Sequence, residues 1–280
     1  GQRIAVTIIS PNLIDQRYPN QKKYFNNERI GHAFIHGGIY PTTAGVSQTT
    51  QYALAALFEA DLVDVNLAPN YNVAPSAEVY ATFIDGRAVD RKDGLSIEVF
   101  SWGFLPKWTH SKSRQKRLIN ARAETVDTKV SFADAFASRR CIIPANGFYE
   151  WKVLNSPREK KRKKQPMFIS RSDQELLCLA GVWESRRVEG SERDELSFTI
   201  LTTEANGFLS NIHDRMPVVL PKSTWNEWLD PQNSDIAGLK QILRPAPSAL
   251  FEAHRVNPKV GNARNNGPEL MAPLVQDSMF

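Results

Sequence analysis

Apolar and polar positions alternate most cleanly where Leu196, Phe198 and Ile200 interleave with Ser197 and Thr199. A period of two is the spacing of a strand buried on one face, so the segment 196–202 predicts a sheet strand. Similar short runs predict strands at about 97–102, 167–170, 176–183, 217–220 and 250–256. Helical spacing appears at Leu54, Leu57 and Phe58, which predicts a helix over about 48–59 with Ser47 as its N-cap. Phe132, Ala135 and Phe136 mark a shorter helix that Ser131 would cap, and two more helices form around Trp225, Trp228 and Leu229 and around Ile236, Leu239, Ile242 and Leu243. Short strands interspersed with helices, without regular strand–helix alternation, indicate one α+β domain.

The stretch 139–152 carries the first hint of chemistry. It enters as an apolar run, turns through Pro144, Ala145, Asn146 and Gly147, and leaves as Phe148-Tyr149-Glu150-Trp151. In a strand, Phe148 and Glu150 share one face while Tyr149 and Trp151 share the other. A carboxylate beside an apolar ring is partly desolvated, which raises its pKa towards the range of proton transfer. A solvent-facing glutamate in a hairpin fits the same periodicity.

Composition narrows the class. The chain has 280 residues, 41% hydrophobic and 23% charged, which is ordinary for a soluble globular protein and ample for a core. Its net charge of +5 leans towards a polyanionic partner. Two isolated cysteines, Cys141 and Cys178, provide neither a disulfide framework nor a metal cluster, so no cofactor is expected and a reducing, cytoplasmic setting is. No apolar stretch approaches the ~20 residues of a membrane helix, so no membrane partner is expected.

Charge is unevenly placed. Lys107, Lys112, Arg114, Lys116, Arg117 and Arg122 gather around Asn120, where phosphate contact and a solvated loop are both open readings. Trp102 and Trp108 lie at or beyond the end of the 97–102 strand, where an exposed ring would stack on a base and a buried one would fill core. The densest charge run, 158–164, reads as a solvated hairpin loop. The amide-rich loop 262–269 has the composition to rigidify irregular backbone.

Three motifs, Asn120-Ala121-Arg122-Ala123-Glu124-Thr125, Gly147-Phe148-Tyr149-Glu150-Trp151 and Ile212-His213-Asp214-Arg215-Met216-Pro217, resemble in this order those of the SRAP family (SOS response-associated peptidase). Tyr71-Asn72-Val73-Ala74-Pro75-Ser76, Ser101-Trp102-Gly103-Phe104-Leu105-Pro106 and the loop from Asn262 to Glu269 extend the match, so the resemblance runs over about 47–274. It implies a single domain over 46–280, mainly antiparallel strands in a barrel-like sheet with flanking helices, preceded by a divergent or poorly ordered segment over 1–45. It also implies a protein that binds single-stranded DNA and captures abasic sites. By the same resemblance Asn120, Glu150 and His213 are catalytic, and Pro75, Trp102, Arg122, Trp151 and Arg215 contact DNA.

One departure stands out. Family members begin, after the initiator methionine, with Cys-Gly-Arg and an aromatic residue, and that cysteine is the nucleophile; this chain has no Cys-Gly-Arg. Judged by distance to the first helix, Gly37 falls where the cysteine belongs, and a second register sets Gly1 there. Cys141 and Cys178 sit in apolar runs and read as small buried hydrophobes. Three functions follow as expectations: abasic-site processing by covalent capture or lyase chemistry in DNA damage repair, a non-catalytic module for single-stranded DNA, and an autoproteolytic peptidase.

Overall fold

The computed structural model describes residues 5–7, 45–62, 67–84, 94–108, 117–154, 163–187, 190–191 and 194–274. Apart from Ala5–Thr7 and Gly45, the expected N-terminal segment lies outside them, as do Lys112, Arg114, Lys116 and most of the 158–164 run.

Five strands close the core into a barrel. These are β3 (Glu78–Ile84), β4 (Leu95–Trp102), β6 (Arg140–Ala145), β9 (Leu177–Arg186) and β10 (Glu195–Glu204). Four antiparallel steps run β10, β9, β6, β3, β4. With an odd number of strands, four reversals leave the first and last pointing the same way, so the closing pair must be parallel. It is: Ser197 and Phe198 of β10 register with Ser101 and Trp102 of β4.

Shorter strands extend this sheet: β2 (Asp61–Leu62) beside β4, and β5 (Asn120–Arg122) and β11 (Arg215–Pro217) beside β10. Phe83, Phe100 and Trp183 fill the core edge-to-face, with ring centroids 5.1 to 5.8 Å apart.

A second, four-stranded sheet is ordered β1 (Ala5–Thr7), β7 (Gly147–Leu154), β8 (Lys163–Arg171), β12 (Phe251–Arg255). The chain crosses from barrel to sheet at Asn146 alone; Pro144 and Ala145, expected in the turn, belong to β6. The period-two reading of β7 holds. Phe148 packs into the main core, while Tyr149 and Trp151 join Phe168, Val256 and Val260 on the opposite face.

Among the described residues four α-helices flank the sheets: α1 (Gly45–Phe58), α2 (Ala133–Ser138), α3 (Trp225–Leu229) and α4 (Ile236–Ile242). The N-cap of α2 is Phe132, without a side-chain capping bond, so Ser131 does not cap it. Buried Arg140 fastens α2 and α3 to the barrel by donating to the carbonyls of Phe136, Ala137, Trp228 and Asp230. Trp228 returns a bond from Nε1 to the Cys141 carbonyl at 3.0 Å.

The amide loop does what its composition suggests: Asn262 Oδ1 accepts from the Arg264 N–H, Asn265 Nδ2 donates to the Lys259 carbonyl, and Asn266 accepts from the Tyr71 N–H and donates to the Pro69 carbonyl. From outside the loop, Asn72 Nδ2 donates to the carbonyls of Val260, Asn262 and Asn265.

Gly147 opens β7 against the β8 backbone: a Cβ there would collide with the Ile169 carbonyl oxygen and the Phe168 ring. At Gly207 it would meet only Ser248 Oγ, at 3.7 Å. Gly147→Ala should therefore destabilise by about 1–3 kcal/mol while Gly207→Ala stays well below that, measured by denaturant unfolding. Equal small losses would mean that β8 yields freely and that β7 is not pinned by this contact.

Candidate functional site

A cleft of about 280 Å³ opens where the two sheets meet, lined by Arg117, Leu118, Ile119, Asn120, Ala121, Arg122, Glu150, Thr202, His213 and Arg215. Each wall has a distinct origin. Asn120 and Arg122 begin and end β5, which lies parallel to β10 with Ile200 opposite Asn120 and Thr202 opposite Arg122. Thr202 comes from β10 itself. His213 follows a 3-10 turn, Leu209–Asn211, and leads into β11 at Arg215. Glu150 reaches in from β7 on the Phe148 face.

Glu150 is 4% exposed, and burial raises its pKa to about 8. The nearby Asp214 charge pushes the same way, while the Trp151 N–H donating to Oε2 at 3.3 Å and the Lys164 charge pull against it. The side chain is therefore largely a neutral acid at pH 7. Its Oε1 is buried without a hydrogen-bond partner among the described residues, as are Asn120 Oδ1 and Arg215 Nε. Three orphan polar atoms around one cleft are costly unless something that enters it completes them.

His213 is tied on its Nδ1 side. Nδ1 faces the Arg215 N–H at 3.0 Å and two acceptors, Asp214 Oδ1 at 3.0 Å and the Arg215 carbonyl at 3.3 Å. In the tautomer that places the proton on Nδ1, donated to these acceptors, Nε2 is left as the basic nitrogen. Arg215 is clamped: Nη1 and Nη2 bind Glu124 Oε1 and Oε2 at 2.7 and 2.9 Å, and Nη2 also donates to the Thr202 carbonyl. That double bond holds the Glu124 carboxyl below its usual pKa.

Arg122 is the contrast. It is exposed and lines the cleft, and its side chain makes no hydrogen bond or salt bridge among the described residues.

The cleft therefore brings together Asn120, Glu150, His213, Arg122 and Arg215, but not the other three residues that the resemblance singles out. Trp102 is fully buried, its indole N–H donating to the Ile119 carbonyl at 2.9 Å, so it packs the wall from behind and offers no face for stacking. The exposed ring is that of Trp108, at 60%. Trp151 is half-buried on the opposite face of β7, and Pro75 is exposed in a turn closed by the Ala77 N–H to the Ala74 carbonyl, followed by Ser76 at φ 75°.

Sequence reasoning missed Thr202. The signal was available: it continues the Leu196, Phe198, Ile200 parity, so a hydroxyl falls at the end of an apolar face. Cys141 and Cys178 are both buried; desolvation holds the Cys141 thiol protonated and pushes Cys178 up to about 12. Neither is a nucleophile at neutral pH.

No group of three or more potential ligands that could hold a metal occurs among the described residues, and no helix among them is long and apolar enough to cross a membrane.

Comparison with known proteins places this geometry. The family model described as SOS response associated peptidase (SRAP) matches residues 43–263. The chain is 38% identical over 204 residues to the abasic site processing protein YoqW of Bacillus subtilis (strain 168), covering 72% of this chain and 85% of that one. It is 33% identical over 236 residues to the abasic site processing protein YedK of Escherichia coli (strain K12), covering 81% and 97%. A crystal structure of a Bacteroides thetaiotaomicron protein superposes with a TM-score of 0.67 at 24% identity, over 80% of this chain and 96% of that one, which supports the fold.

The raised pKa has a thermodynamic sign. Unfolded, the Glu150 carboxyl titrates near 4.5; folded, it holds its proton to about 8. Between those values only the unfolded state loses the proton, so stability falls as pH rises and the loss is complete above the folded pKa. Glu150→Gln removes the titration. Its melting temperature should gain on the unsubstituted protein from pH 5 to pH 9, by the equivalent of about 2–5 kcal/mol, in calorimetry across that range. Parallel curves would show that Glu150 is ionised in the fold.

Proposed function

The chain belongs to the SRAP family, and from that premise we propose that it processes abasic sites in single-stranded DNA by acid–base chemistry on the ring-opened sugar. The observation that carries the proposal is the buried, neutral Glu150 facing a cleft whose orphan atoms include one acceptor, Asn120 Oδ1, and one donor, Arg215 Nε–H. A ring-opened abasic sugar presents an aldehyde oxygen and a hydroxyl, one acceptor and one donor. The match is chemical and needs no base.

A protonated carboxyl at pH 7 suits proton donation to the sugar ring oxygen as the ring opens, and to the carbinolamine oxygen as it leaves as water. The step that this chemistry serves is attack of a primary amine on the aldehyde carbon, with loss of water to an imine. His213 then removes a proton from the neighbouring carbon, the electron pair forms a double bond, and the adjacent carbon–oxygen bond to phosphate breaks. Arg122, exposed and without a side-chain ion pair among the described residues, would hold that phosphate or its neighbour. General acid–base help of this kind is worth ~10²- to 10⁴-fold. Since both thiols are buried, capture through Cys141 or Cys178 has no support, and the reading favoured here is imine formation followed by β-elimination.

The test is incubation with single-stranded DNA carrying one abasic site, with and without borohydride, followed by a denaturing gel. Strand cleavage and a borohydride-trapped adduct are expected, with Glu150→Gln and His213→Ala each slowing cleavage by about 10²-fold or more and Arg122→Ala mainly weakening binding with a shallower salt dependence. DNA binding without adduct or cleavage would sink the catalytic reading and leave a binding module.

A further inference from the structure

We infer that Glu124 is a positioning residue: through Arg215 it holds His213 and the strand carrying Asn120 in one arrangement about the cleft. The inference rests on the reaction proposed above for its kinetic consequences, but not for its geometry.

Strands β5 and β11 lie on opposite edges of β10. On one edge Ile200 N–H donates to the Ile119 carbonyl and Ala123 N–H to that of Thr202; on the other, Val218 N–H donates to that of Leu201. No backbone bond crosses from β5 to β11, since β10 stands between them. The crossing is made by one guanidinium. Arg215, from β11, reaches over Thr202 to the Glu124 carboxylate, two residues beyond β5, in a planar two-bond pair of 2.7 and 2.9 Å.

Both ends of this bridge lead to functional atoms. At one end, the backbone of the same Arg215 meets Nδ1 of His213 through its N–H at 3.0 Å and its carbonyl at 3.3 Å. At the other, Glu124 is joined through Ala123 to Arg122, Ala121 and Asn120. Lys240 from α4 steadies this end, donating to the Glu124 carbonyl at 3.1 Å and to Asp127 Oδ1 at 2.7 Å.

Two considerations argue against the bland readings. An ion pair with one partner 43% exposed contributes little to stability, so holding the fold together is not its main effect. An arginine presented to phosphate would offer its two terminal nitrogens, yet here both are occupied and only Nε lacks a partner. The geometry suits alignment, for which the planar fork of arginine is specific and lysine is not equivalent.

The experiment compares Glu124→Ala and Glu124→Gln with the unsubstituted chain by three readouts: ring-nitrogen NMR of His213, single-turnover conversion of abasic single-stranded DNA at saturating protein, and the Kd for that DNA. We expect Glu124→Ala to shift the ring-nitrogen signals of His213 and to slow turnover about tenfold or more, with Kd changed less than about twofold. Glu124→Gln, which keeps one acceptor oxygen for the guanidinium, should recover part of the rate. Unchanged His213 signals would overturn the inference, as would weaker DNA binding at an unchanged saturated rate, which would make Glu124 a determinant of binding. If the unsubstituted chain does not convert the DNA, the reaction proposed above fails, while the ring-nitrogen spectra still decide whether the clamp exists.

Discussion

Strand β10 is the member on which everything else hangs, because it bonds to four other strands. Its antiparallel partners are β9 and β11; its parallel partners are β4, which closes the barrel, and β5. The register that closes the barrel at Ser197 and Phe198 therefore also fixes where Asn120, Arg122 and Arg215 stand. A slip of one residue would reverse every side chain on β10, moving Phe198 and Ile200 out of the core and Thr202 out of the cleft. Core and site cannot be specified independently here. The apolar face of β10 enforces the geometry of the polar groups at its end.

Against that rigid wall, the fold places a group in an unfavourable state. Burial of Glu150 without a partner for Oε1 opposes folding at high pH, and nothing in the packing requires a carboxyl there, since Phe148 already fills the core-facing position two residues earlier. A hydrocarbon of the same size would pack at lower cost. An expensive, unsatisfied carboxyl beside an unsatisfied amide oxygen and an unsatisfied guanidinium nitrogen is what a site looks like before its ligand completes it. The strand crossing makes this affordable: Asn146 is the sole link between β6 and β7, so Glu150 is set by the barrel on one side and by the β8 backbone behind Gly147 on the other.

Much of this was legible in the residues. Period-two alternation located β10 and the two faces of β7, and with them the suspicion that Glu150 is desolvated. It did not reveal β3, whose five central residues are all buried, because a strand covered on both faces need not alternate; β10 too is covered on both faces from Ser197 to Thr203, not on one as expected, and alternates only because Ser197 and Thr199 fill its second face. Nor could it place Trp102: a ring at a strand's end can point out or in, and here the parallel pairing with β10 buries it. The helix cap at Ser131 failed because the chain winds through turns from Thr125 onward and enters α2 at Phe132 without a side-chain cap. Arg215 was visible only as a motif arginine; that it faces Glu124 depends on two strands meeting across a third, which no local pattern encodes.

The distribution of arginines carries the argument furthest. The sequence offers a modest positive excess and a cluster of cations near Asn120, which invites a diffuse electrostatic picture of strand binding. Among the described residues, several arginines of the chain are already engaged within the fold. Arg140 is buried against four carbonyls, Arg139 pairs with Glu184, and Arg117 and Arg186 both hold Glu195. Arg215 is spent on Glu124. Among the cleft-lining cations that leaves Arg122, at the end of β5 and two residues from Asn120. On the function proposed above, a guanidinium without an ion pair among the described residues, on a strand whose backbone is fixed by pairing with β10, would favour one position for a phosphate rather than merely attract a polyanion. The other arginines set the frame around that position.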